Sequence, residues 1–187
     1  INKNYQNVKQ SYLFSTIAKK TQAFLEQNPQ ADIIRMGIGD VKGPLPPAVT
    51  KAMEQANREM ATEAGFHGYG PEQGYAFLKQ PILQHYAEKG VTLSENEVFI
   101  SDGAKSDLGN IDLFDRDNTV LIPDPVYPVY VDTNIMDGRK ILFMDANEQN
   151  GFLPVPGSET KGDIIYLCSP NNPTGAVYSR EQLKLWV

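Results

Sequence analysis

The strongest constraint on the fold lies in residues 163–175. Asp163-Ile164-Ile165-Tyr166-Leu167 is a short apolar run that stops abruptly in Cys168-Ser169-Pro170-Asn171-Asn172-Pro173-Thr174-Gly175. The run reads as a buried strand and the continuation as a rigid polar loop. Two prolines fix the backbone there, and Gly175 can supply an unusual φ angle. Such a loop holds an amide side chain still at the end of a buried strand, which is where open α/β folds bind ligands.

Upstream, strands and helices alternate. Val98-Phe99-Ile100 reads as a strand, and Asp102-Gly103-Ala104-Lys105 turns into a helix. Thr119-Val120-Leu121-Ile122 is a strand ended by Pro123-Asp124-Pro125, and a helix over Tyr127 to Met136 follows a proline-set start. Lys140 to Met144 is the next strand, and Ser179 begins a last helix with Glu181 and Gln182 in its first turn. This order predicts an α/β fold with a mostly parallel sheet flanked by helices. Before it, residues 1–30 read as an arm followed by an amphipathic helix with Ile17, Phe24 and Leu25 at helical spacing. Helices are also expected from Ala48 to Met60 and from Tyr75 to Lys89, separated by the glycine-rich loop Gly68-Tyr69-Gly70-Pro71-Glu72-Gln73-Gly74. The expected division is an N-terminal arm with part of a small domain over 1–47, and an incomplete large domain over 48–187. The chain starts without Met and finishes at Leu183-Lys184-Leu185-Trp186-Val187, which reads as a helix stopped partway. A truncated, N-terminal portion of a longer protein is therefore expected.

Composition narrows the function. The net charge of −6, with no basic stripe, disfavours nucleic acid as a partner. No apolar run approaches the roughly 20 residues that cross a bilayer, and the polar start lacks the apolar core of a signal peptide. A single cysteine, Cys168, excludes an internal disulfide framework and fits a cytoplasmic location. His67 and His85 have neither the spacing nor the cysteine partners of a metal site, so none is expected.

Several segments could carry chemistry, and each has a plainer reading. At Ser101-Asp102-Gly103-Ala104-Lys105 a glycine turn opens a helix. The first N–H groups of a helix lack intrahelical partners and favour an anion such as phosphate. Gly103 lets the backbone come close and Lys105 adds charge; an ordinary strand-to-helix turn explains the same residues. In Asp124-Pro125-Val126-Tyr127-Pro128-Val129-Tyr130, prolines on both sides of Tyr127 present a flat aromatic that can stack on a planar ring. The plainer reading makes Tyr127 and Tyr130 core aromatics, and Tyr130 is left there. The Gly68–Gly74 loop is not a dinucleotide fingerprint, because its third glycine comes one residue late and no β-branched strand precedes it. It presents Tyr69 and Glu72, or merely connects two helices. Gly39, in Gly37-Ile38-Gly39-Asp40, offers a backbone open to a ligand or forms a turn. Tyr12 lies in an arm that can fold over a site or over a neighbouring subunit. Cys168 has no histidine placed to activate it and reads as a small packed residue.

Taken in order, Tyr-Leu-Phe, Gly-Ile-Gly-Asp, Gly-Tyr-Gly-Pro-Glu-Gln-Gly, Ser-Asp-Gly-Ala-Lys, Asp-Pro-Val-Tyr-Pro-Val-Tyr and Ser-Pro-Asn-Asn-Pro-Thr-Gly run along essentially the whole chain. This series resembles the LL-diaminopimelate aminotransferases, a family of class I/II enzymes of fold type I that use pyridoxal 5'-phosphate (PLP) in lysine biosynthesis. Asn-Pro-Thr-Gly points only to the broad superfamily, whereas the arm, the Gly-Tyr-Gly-Pro-Glu-Gln-Gly loop and the double-tyrosine segment are narrower. The resemblance implies that Ala104 and Lys105 form the phosphate cup, that Tyr127 stacks on the pyridine ring, and that Asn172 binds the ring hydroxyl. It implies that Tyr12 and Gly39 contact substrate, with Lys105, Tyr127 and Asn172 also bordering it. Tyr69 would reach the cofactor phosphate of a neighbouring subunit and Glu72 its substrate, which implies a homodimer with shared sites. The partners implied are small amino acid and keto acid substrates, with no nucleic acid and no membrane.

The family's Schiff-base lysine, its acidic partner for the pyridine nitrogen and its substrate-carboxylate arginine all lie beyond residue 187. The resemblance therefore implies that these 187 residues do not turn over alone, since the lysine is covalent anchor and proton carrier. Two other readings share much of this pattern. One is a class I aminotransferase with a different amino donor, which would not need Glu72 or Tyr12. The other is a truncated domain that folds or dimerises without catalysis.

Overall fold

The computed structural model describes residues 1–8, 13–37, 39, 41, 43–111, 113–157 and 160–187. They belong to two compact units, Ser11–Ser101 and a second made of Ile1–Gln10 with Asp102–Val187.

The Ser11–Ser101 unit is helical. It contains α1 (Leu13–Gln27), α2 (Pro47–Met60) and α3 (Ala76–Glu88). α1 stops where Asn28 turns both its N–H and its side-chain amide back to the Phe24 carbonyl, at 2.9 and 3.0 Å. α2 starts on Pro47, whose missing N–H is no loss in a first turn. Beyond α3, a short 3₁₀ turn at Glu95–Glu97 is closed by a capping box in which Ser94 and Glu97 bond reciprocally. Lys79 is buried on α3 with its ammonium 3.9 Å from Glu95, tying the helix to this turn.

Val98-Phe99-Ile100, expected as a strand, is extended but forms no ladder. Among the described residues two backbone bonds reach it, Val98 N–H to the Glu95 carbonyl at 3.4 Å, which closes the preceding turn, and Ile100 N–H to the Gln73 carbonyl at 3.1 Å, and neither comes from a strand. A β-strand is defined by a partner, and a short apolar triplet without one remains a loop.

The other unit contains the sheet. β1 (Thr119–Asp124), β2 (Lys140–Asp145) and β3 (Ile164–Ile165) are parallel in the order β2-β1-β3. α4 (Ala104–Gly109) precedes β1, α5 (Pro128–Asp137) connects β1 to β2, and α6 (Arg180–Lys184) closes the chain. β1 is central, and its run of apolar residues follows from that position: Val120 and Ile122 are 0% exposed. Around them pack Tyr166, Ile141 and Ile164, with Leu108 from α4, Val126, and Tyr130 and Val131 from α5. On the opposite parity Leu121 is also covered, by the backbone at Gly162.

β3 is shorter than the apolar run predicts. Tyr166 N–H reaches the Leu121 carbonyl at 3.0 Å, but Pro123 has no N–H to continue the ladder. α6 begins as expected, on a capping box between Ser179 and Gln182. It does not run on: Leu185 and Trp186 turn their N–H groups to the carbonyls three residues back and tighten the end.

The first residues of the chain dock on this unit. Asn2 and Asn4, flanking and within a 3₁₀ turn over Lys3–Asn7, both donate to the Met136 carbonyl, an orphan acceptor near the C-terminus of α5. Arg139, just before β2, uses all five of its N–H groups. They go to the carbonyls of Ile111, Phe114 and Asp115, to Asn134 Oδ1, and to Asp137 Oδ2 at 2.7 Å. The segment between α4 and β1 is thereby fastened to the corner between α5 and β2.

Candidate active site

In a parallel sheet all strands point the same way, so the loops after β1 and β3 leave from one rim. Tyr127 is on the first loop and Asn172 on the second. β1 ends in Pro123-Asp124-Pro125, and Tyr127 caps α5 in extended conformation with Pro128 at the first helical position. The tyrosine ring is half-buried. Tyr130 stands edge-on to it with ring centres 6.0 Å apart, and the Tyr130 ring rests in turn on Tyr166 at 5.0 Å. One aromatic is thus presented and two prop it from the core. Burial pushes the Tyr130 phenol up to about 12, and the neighbouring Cys168, Tyr127 and Tyr166 push the same way. Tyr130 is therefore a neutral core residue at physiological pH, as its plainer reading held.

The loop after β3 is wound tightly. The peptide bonds before Pro170 and Pro173 are cis, as is the one before Pro125. Gly175 takes φ +73°, a left-handed conformation that an L side chain resists, which lets its N–H return to the Asn171 carbonyl at 2.7 Å. Asn172 is exposed, and no hydrogen bond to a described residue engages its amide. Cys168 is half-buried, with its thiol 3.3 Å from the Pro170 carbonyl, which agrees with a packed residue.

The sequence reading passed over Asn171. This residue is 7% exposed and donates from Nδ2 to the Pro125 carbonyl at 3.1 Å and to Thr174 Oγ1 at 2.9 Å. The sequence carries no local signal for it, because Asn171 and Asn172 are the same residue type in the same loop. Which one faces in is decided by Pro125, 46 positions away.

The third part is the start of α4. Gly103 caps it at φ +132° and ψ 154°, a conformation essentially reserved for glycine, and its carbonyl accepts from Ser106 and Asp107. The N–H groups of Ala104 and Lys105 come ahead of these and have no acceptor within the helix. α4 is six residues long, so its dipole is short and the donors themselves matter more. Lys105 is exposed. Leu108 anchors α4 in the core that also holds Tyr130 and Val126.

Ala104, Lys105, Tyr127 and Asn172 thus belong to one compact unit. Gly39, Tyr69 and Glu72 belong to the other. Gly39 is exposed. Tyr69 is fully exposed at 109%, and Glu72 sits inside a turn closed by Gly74 N–H to the Pro71 carbonyl. Tyr12 lies outside the described residues. Two concavities of about 500 and 570 Å³ are lined by α3 and by the Lys161–Asp163 segment with Trp186, and include none of these residues. Among the described residues no cluster of His, Cys, Asp or Glu suits a metal ion, and no helix is long and apolar enough to cross a membrane.

A propped aromatic face, a disengaged amide and two helix-start N–H donors match in kind what a flat, phosphorylated, hydroxyl-bearing ring requires. The chain as a whole is similar to one family. The family model described as aminotransferase class I and II matches residues 31–185. The chain is 47% identical to an LL-diaminopimelate aminotransferase of Desulfotalea psychrophila and 49% identical to one of Parabacteroides distasonis. Each match takes in 100% of this chain and 48% of the relative. A solved L,L-diaminopimelate aminotransferase from Chlamydomonas reinhardtii matches with a TM-score of 0.86 at 40% identity, over 98% of this chain and 48% of that one. The chain spans about half the length of the curated relatives it matches.

Proposed function

The chain belongs to the class I and II aminotransferases, which are PLP-dependent enzymes, and from this premise we propose that the whole protein is an LL-diaminopimelate aminotransferase. Its reaction moves an amino group between LL-2,6-diaminopimelate with 2-oxoglutarate and tetrahydrodipicolinate with glutamate, in lysine biosynthesis. The observation that carries the reading is identity of 47% and 49%, along the full chain, to two proteins of that name.

The chemistry that PLP supplies, when bound, is reversible carriage of the amino group between donor and acceptor. The residues of this chain bind and orient. Ala104 and Lys105 take the phosphate through helix-start N–H groups and an ammonium. Tyr127 holds the ring face and Asn172 the ring hydroxyl. Tyr12 and Gly39 border the substrate. Tyr69 reaches the phosphate, and Glu72 the distal ammonium of the substrate, in a neighbouring subunit's site. Such sharing makes the protein a homodimer with two composite sites. The division into an arm with part of a small domain (1–47) and part of a PLP-binding domain (48–187), and a cytoplasmic location, belong to the same proposal.

The test is an activity panel on the intact protein. LL-diaminopimelate with 2-oxoglutarate is compared with aspartate, alanine and aromatic donors. A preference for LL-diaminopimelate is the expected result. Preference for another donor keeps the family and overturns the substrate, and loss of donor activity in the Glu72→Gln variant tests the carboxylate's part in it.

A further inference from the structure

Asn171 joins the two loops that present Tyr127 and Asn172. Its Nδ2 donates to the Pro125 carbonyl, two residues before Tyr127, and to the Thr174 hydroxyl, two residues after Asn172. Its main chain is held as well: its N–H donates to the Ala176 carbonyl at 2.9 Å, and its carbonyl accepts from Gly175. The Thr174 hydroxyl also accepts from Ala176 N–H at 3.3 Å. Both protons of the amide are thus committed, which fixes its orientation. That orientation leaves Oδ1 buried, without a donor among the described residues. An unpaired buried amide oxygen is unfavourable.

We propose that Asn171 is a positioning residue for the cofactor. It sets the Tyr127 loop against the Asn172 loop by bridging Pro125 and Thr174, and so fixes the aromatic face relative to the amide without itself touching the ring. The proposal rests on the aminotransferase reading above. Tyr130 props the Tyr127 ring from below; Asn171 holds the backbone from which that ring hangs.

The test is a double-mutant cycle read by PLP affinity. Dissociation constants for PLP are measured by equilibrium dialysis with the apo form of the intact protein, its Asn171→Ala and Tyr127→Ala variants, and the double variant. Apo melting temperatures are recorded in parallel. If Asn171 acts through Tyr127, Asn171→Ala weakens PLP about tenfold in the parent and less than about twofold once Tyr127 is gone. A purely structural role lowers the melting temperature and weakens PLP equally in both backgrounds, and that result overturns the proposal. Asn171→Leu has a similar shape, loses both donations and buries no charge, so it carries the same comparison if the alanine variant does not fold. Failure of the parent protein to take up PLP overturns the aminotransferase reading and this proposal with it. Uptake by the parent with an additive cycle overturns this proposal alone.

Discussion

Tyr130 meets Tyr127 edge to face, with the two ring planes at 87°. The geometry is the one favoured by aromatic quadrupoles, and it makes a core residue the support of a presented one. Truncating Tyr130 therefore acts on both. Tyr130→Ala is expected to cost about 3 kcal/mol, the lower end for loss of a large aromatic because the ring is only partly buried. Tyr130→Phe keeps the ring and is expected to cost far less. Urea unfolding of the intact protein measures both, and PLP affinity should fall with the alanine variant and hold with the phenylalanine one.

The same burial gives a pH dependence. Tyr130 is raised to about 12 and Tyr178 is raised too, in both cases chiefly by burial. In the unfolded chain these phenols ionise near pH 10. Above that pH the unfolded state loses protons that the folded state keeps, so stability is whole below about pH 10 and falls as pH rises toward 12. Urea midpoints taken from pH 8 upward should be flat and then drop. Tyrosine-to-Phe variants at 130 and 178 should each flatten part of the drop.

Arg139→Lys is expected to be far from conservative. Arg139 places five donors in one plane, whereas an ammonium has three and no fork. The carbonyls of Ile111, Phe114 and Asp115 would lose most of their partners. A cost of about 3 kcal/mol or more is expected, in line with breaking a buried, charge-assisted network. Chemical denaturation checks it, and faster amide exchange over 111–115 should accompany it.

Gly103→Ala separates backbone from side chain. No described residue stands within 4 Å of the position an added Cβ would take, so the penalty comes from the φ of +132°. That strain, about 1–3 kcal/mol, is relieved by shifting the start of α4. The expected result is weaker binding of PLP with little change for pyridoxal, which lacks the phosphate. Equal losses for both ligands would remove Ala104 and Lys105 from the phosphate site.

Local signals made much of the fold legible. β1 follows from continuous apolar residues, α2 from helix-forming composition, α5 from its proline-set start, and α6 from Ser179 with Glu181 and Gln182 in its first turn. The illegible parts depend on distant partners. Val98–Ile100 has strand composition but no partner strand. Arg139 is read off by carbonyls 24 to 28 positions away, which carry no side-chain signature. Asn171 and Asn172 are chemically identical neighbours, and only the fold turns one inward.

Pro123 leaves the seam between β1 and β3 without its next main-chain rung, and a few residues on the Asn171 amide reaches across to Pro125 in its stead. Main-chain rungs use groups that every residue but proline carries, so they are only weakly tied to residue identity. A rung made by a side chain is spelled out by one codon. The spacing of the two loops at this rim therefore depends on the identity of residue 171, whereas the ladder of the three strands below it does not.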